Sequence, residues 1–118
     1  MSAQGESVTG PDEFDRQLRM LRYELVRQGD FCIFDYEIPL GSRIGEVVKI
    51  GLQVSADFPL TPPPGPHVCP RIGHPGGNVN ASSLGTDFEY WSRPFHGWQD
   101  NPTAKAYLAH LRKLFAQL

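Results

Sequence analysis

FCIFDYEIPLGSRIGEVVKIGLQVS, residues 31–55, decides the architecture. In its first part Cys32, Phe34, Tyr36 and Ile38 alternate with Ile33, Asp35 and Glu37; in its last part Val48, Ile50, Leu52 and Val54 do the same. A period of two is the signature of a strand with one buried face. LGSRIG between them holds Gly41 and Gly45, which accept positive φ. The stretch therefore predicts an antiparallel hairpin. Cys32, set among aromatics on the inward face, is expected to be a buried, inert thiol.

On the N-terminal side, residues 1–8 are small and polar and are expected to fray; the domain spans 9–118. Thr9 or Gly10 can cap a helix, Pro11 suits its first turn, and Asp12 and Glu13 favour its positive end. Phe14, Leu18, Leu21 and Leu25 recur at helical spacing, so the helix is expected to run to Gly29. On the C-terminal side, DFPLTPPPGPHVCP is held extended by its prolines, and HVCPRI is expected to be a short third or fourth strand, which Pro70 places at an edge or an end. Asn101 and Pro102 open a last helix whose stripe is Ala104, Tyr107, Leu108, Leu111, Leu114, Phe115 and Leu118. The fold class is α+β: an N-terminal helix, a four-stranded antiparallel meander, a Pro-rich crossover and a C-terminal helix.

Composition excludes several function classes. Net charge is −2 over 118 residues, with no Lys/Arg-rich run, so no nucleic-acid footprint is present. No apolar stretch reaches the length of a membrane span, and no signal-peptide pattern opens the chain. Two cysteines make no disulfide scaffold, and the expectation is a cytoplasmic protein. His67, Cys69 and His74 match no zinc spacing, so no metal and no cofactor are expected.

Phe58-Pro59-Leu60-Thr61-Pro62-Pro63, then Arg71-Ile72-Gly73-His74-Pro75, then an irregular loop and a helix resemble the ubiquitin-conjugating enzyme superfamily. Trp91-Ser92-Arg93, Trp98 and the helix after Pro102 are similar to its divergent prokaryotic members. The resemblance implies a bacterial ubiquitin-like conjugation system, a setting associated with antiphage defence. Its implied partners are a ubiquitin-like protein and an adenylating activating enzyme, which would use the ATP and magnesium; this chain has no P-loop. In the family an Asn follows His-Pro and a cysteine carries the acyl group. Here Gly76 takes the Asn position, Ser82 takes the cysteine position with Ser83 beside it, and no cysteine follows Cys69.

Three readings of this loop compete. It is noncatalytic, and the domain binds the ubiquitin-like protein or its machinery. Or Ser82 or Ser83 accepts the acyl group as an oxyester, with His74 as base and Asn78 or Asn80 as oxyanion donor. Or Cys69 is the nucleophile, against its place in a strand. A protein-interaction module unrelated to conjugation is the remaining alternative. His74 has a structural role open to it as well, bonding backbone to hold the loop. The family docks its activating enzyme on the first helix, where Arg16, Arg19, Arg22 and Arg27 would suit an acidic partner. In FEYWSRPFHGW, Trp98 reads as core, while Trp91 with Arg93 reads equally as sheet cover or partner anchor.

Overall fold

The computed structural model describes residues 9–118; the expected fraying of 1–8 lies outside them. Helix α1 is Gly10–Met20 and helix α2 is Ala104–Ala116. The strands are β1 Leu25–Gln28, β2 Phe31–Glu37, β3 Val47–Gln53, β4 His67–Cys69, β5 Val79–Ala81 and β6 Glu89–Trp91. They form one antiparallel sheet in the order β1-β2-β3-β4-β6-β5. The class is α+β. The first four strands are a meander, and β6 and β5 extend it, so the sheet has six strands rather than four.

The expected helix to Gly29 is corrected. α1 ends after Met20 in a Schellman arrangement: Tyr23 N–H donates to Leu18 O and Arg22 N–H to Arg19 O, both at 3.0 Å. Arg22 takes the left-handed position, φ 73, that glycine usually fills. The chain then turns into β1, whose Gln28 pairs with Phe31 across the two-residue turn Gly29-Asp30. Gly29 has φ 61, as the first position of such a hairpin turn requires. The hairpin of residues 31–55 forms as the alternation demands, from Phe31↔Gln53 to Glu37↔Val47. Cys32 is fully buried, and burial raises its thiol pKa to about 11, which leaves it inert.

Both helices cover the sheet face that carries Phe34, Tyr36, Ile50, Leu52, Val68 and Trp91. The α2 stripe is buried at Ala104, Tyr107, Leu111, Leu114 and Phe115, with Leu108 and Leu118 partly buried. Its cap is Thr103, whose Oγ1 accepts Ala106 N–H at 3.1 Å, rather than Asn101. Gln17 of α1 accepts the free Ala104 N–H at 2.7 Å, so one helix caps the other. The Pro-rich crossover is fixed from beneath. Trp98 Nε1 donates to Pro59 O at 2.7 Å and the Tyr107 hydroxyl donates to Pro64 O. Gly65 passes so close to β6 that an added Cβ would stand 1.6 Å from Trp91 O.

Candidate functional site

The loop after His74 builds two separate polar centres on opposite faces of the sheet. His67 pairs with Gly51 and Tyr90, while its neighbour Val68 pairs with Ile50 in the core. Strand alternation therefore sends His67 to the face the helices leave uncovered. There its Nδ1 lies 2.7 Å from Ser82 Oγ. Leu84 N–H donates to the same oxygen at 3.0 Å. The imidazole sits between Phe31 and Tyr90, with centroids at 5.0 and 4.7 Å. Only 6% of His67 is exposed, and burial lowers its pKa to about 4. Leu84 then lies over Gly51, where an added Cβ would meet its Cδ1 at 2.4 Å.

Ser82, Ser83, Asn80, Arg71, Thr86 and Phe88 line a shallow cleft of about 480 Å3. Ser83 is exposed and Ser82 half-buried. The histidine that reaches Ser82 is thus His67, not His74. Nor does Asn78 serve it: the three residues of β5 separate them, roughly 13 Å of extended chain. Asn78 has φ 55, and its carbonyl accepts Ser92 N–H at 3.0 Å and Asn80 Nδ2 at 3.2 Å. Cys69, half-buried, lies opposite Lys49 on the uncovered face, next to the cis Cys69–Pro70 peptide.

His74 belongs to the other face. It is 8% exposed, with its ring 4.9 Å from that of Trp91. Nε2–H donates to Leu114 O at 3.0 Å, while Nδ1 accepts Gly76 N–H and Arg93 Nη2, both at 2.9 Å. Every ring position is used, so His74 ties its own loop to the end of α2 and to Arg93. Burial lowers its pKa; the Leu114 bond opposes this and the Arg93 charge adds to it. Arg93 Nη2 also donates to Gly77 O and Nη1 to Ser92 O, which makes it a clamp across the loop. Beside it the buried Glu89 accepts Gly73 N–H at 2.6 Å and Trp91 Nε1–H at 2.9 Å.

Trp91 is fully buried against His74 and Phe115. It is a core residue, and its reading as a partner anchor is corrected: its ring has no surface to offer. Trp98 is core as the sequence implies, at 3% exposure. The helix arginines are exposed but engaged. Arg16 grips Glu13 through Nε at 2.8 Å and Nη2 at 2.7 Å, and Arg19 Nε pairs with Asp15 at 2.5 Å. Arg27 pairs with Asp12 and Asp15, fastening β1 to α1.

Chemically, the Ser82–His67 pair has the contact of a nucleophile and base but not the basicity. A general base works best with a pKa near the operating pH, and burial holds His67 far below it. Among the described residues no carboxylate hydrogen-bonds its ring, so the orienting third group of a triad is missing as well. Among those residues, too, no three His, Cys, Asp or Glu side chains gather as metal ligands, and no helix is long and apolar enough to cross a membrane. Comparison with protein-family models, with curated proteins and with solved structures returns no match.

Proposed function

We propose that this chain is a ubiquitin-conjugating-like component of a bacterial ubiquitin-like conjugation pathway, acting in the cytoplasm at the conjugating step without a covalent intermediate. It binds a ubiquitin-like protein, its adenylating activating enzyme, or both, and positions one beside the other. The order of α1, the β1–β4 meander, the Phe58–Pro63 crossover, His74-Pro75 and α2 supports the fold assignment. One observation carries the noncovalent reading. The hydroxyl at the position of the family's cysteine is held by Leu84 N–H and by a histidine too weakly basic to activate it.

A second reading rests on the same 2.7 Å contact. Ser82 Oγ, opening on a cleft, attacks the acyl carbonyl that the activating enzyme carries as a thioester; His67 takes the hydroxyl proton, the bond to the activating enzyme's sulfur breaks, and its thiolate leaves. Both readings place ATP and magnesium on the activating enzyme. The docking part is tested by titrating labelled activating enzyme with the wild type and with Arg16→Glu/Arg19→Glu, thermal melting checking the fold. Weaker binding by the folded variant is expected; unaltered affinity would remove α1 as the docking element.

A further inference from the structure

On the helix-covered side, α2 and β2 enclose a groove of about 360 Å3 that the loop chemistry leaves unused. Lys105, Leu108 and Arg112 enter it from α2, where spacings of three and four residues put them on one helix face. Tyr23, Tyr36 and Glu37 enter from the other wall. Tyr36 is 4% exposed, with its ring 5.6 Å from Phe115, yet its hydroxyl has no hydrogen-bond partner among the described residues and opens on the groove. Tyr23, packed edge-on against Phe34, has an unpartnered hydroxyl there too.

Tyr23, Tyr36 and Arg112 line the same groove, and the Arg112 charge acts to lower the Tyr36 pKa while the Tyr23 phenol acts to raise it. Burial is the larger influence and raises the Tyr36 pKa to about 12, so at neutral pH it is an O–H donor. Lys105 and Arg112 form no ion pair with any described carboxylate, unlike Arg16, Arg19, Arg27, Arg43 and Lys49. Glu37 is the acid in the lining, and against two cations it leaves positive charge in excess. Convergent, unsatisfied donors beside an apolar wall are the features of a recognition site.

We propose that this groove binds an acidic peptide segment of a protein partner. One carboxylate is seated between the Tyr36 hydroxyl and the Arg112 guanidinium, Lys105 faces a second, and an intervening aliphatic side chain lies on Leu108. Arginine and phenol donors suit a carboxylate through charge-assisted hydrogen bonds.

The test is fluorescence anisotropy with a fluorescein-labelled Asp-Glu-Leu-Glu-Asp peptide, its neutral Asn-Gln-Leu-Gln-Asn counterpart, and inorganic phosphate as competitor. The acidic peptide is expected to bind at least about tenfold more tightly than the neutral one. Arg112→Glu should weaken it by about tenfold, and Tyr36→Phe, which keeps the packed ring and an unchanged melting temperature, by several-fold. Arg71→Glu, a cation of the other cleft, should leave affinity alone. No binding at millimolar peptide, equal binding of the two peptides, indifference to Arg112→Glu, or phosphate binding without the acidic peptide would overturn the proposal. None of these readouts involves the activating enzyme or the ubiquitin-like protein, so their failure is distinct from failure of the conjugation reading.

Discussion

Ser82 Oγ lies 2.7 Å from His67 Nδ1, and His74, the histidine nearest to it in sequence, lies on the opposite face of the sheet. The contact joins the 82–84 loop to β4, fifteen residues earlier, while His74 joins its own loop to α2, forty residues later. The two histidines thus fasten the two sides of one irregular segment.

A structural role for Ser82 has a direct cost when it is removed. Ser82→Ala leaves Leu84 N–H and the His67 ring without their partner, and is expected to destabilise the fold by about 1–3 kcal/mol. Ser83→Ala, at an exposed neighbour, should change stability by less than about 0.5 kcal/mol. Urea denaturation of the two variants reads the difference; equal stabilities would remove the Ser82 tether.

Stability should also depend on pH through His67. Its folded pKa, about 4, lies below the unfolded value of about 6.5. Between those values the unfolded chain binds more protons, so the contribution is full above about pH 6.5 and is lost as pH falls toward 4. The loss is up to about 3 kcal/mol for His67; His74 and His110 shift in the same direction. His67→Gln should flatten the slope measured by urea denaturation from pH 7 to 4. A wild type as steep as the variant would contradict the burial of a neutral imidazole.

The crossing of the Pro-rich segment over β6 makes Gly65 irreplaceable. An added Cβ would meet backbone, Trp91 O at 1.6 Å and Arg93 N at 2.8 Å, and neither can rotate away. Gly65→Ala should cost about 3 kcal/mol or more. At Gly51 the obstacle is the end of the Leu84 side chain, which can move, and Gly51→Ala should cost about 1–2 kcal/mol. Thermal melts of both variants check the order; a tolerated Gly65→Ala would mean that the crossing is looser than described.

The strands of residues 31–55 and the last helix were legible because each has one buried face and a clear period. β1 was hidden by Leu18, Leu21 and Leu25, whose spacing continues the helix on paper. No glycine or proline marks its end, because Arg22 occupies the left-handed cap position. Gly29-Asp30 was visible as a break, and the hairpin turn it forms depends on the strand before it. In the site, His74 and Ser82 were singled out by their loop, but pairing is decided by which sheet face each reaches. His67 and Glu89 sit in three-residue strands among prolines and aromatics, too short to show alternation. Only the register of β4 with β3 and β6 places His67 under Ser82.

The measurement to make first is the intact mass of this protein after incubation with an activating enzyme and a ubiquitin-like protein of the proposed pathway, ATP and magnesium. The expected result is the unmodified mass, with a noncovalent complex recovered from the same mixture by size exclusion. An adduct of one ubiquitin-like protein that survives thiol reductant, yields to hydroxide and disappears in Ser82→Ala would contradict it and make Ser82 an acyl-accepting nucleophile.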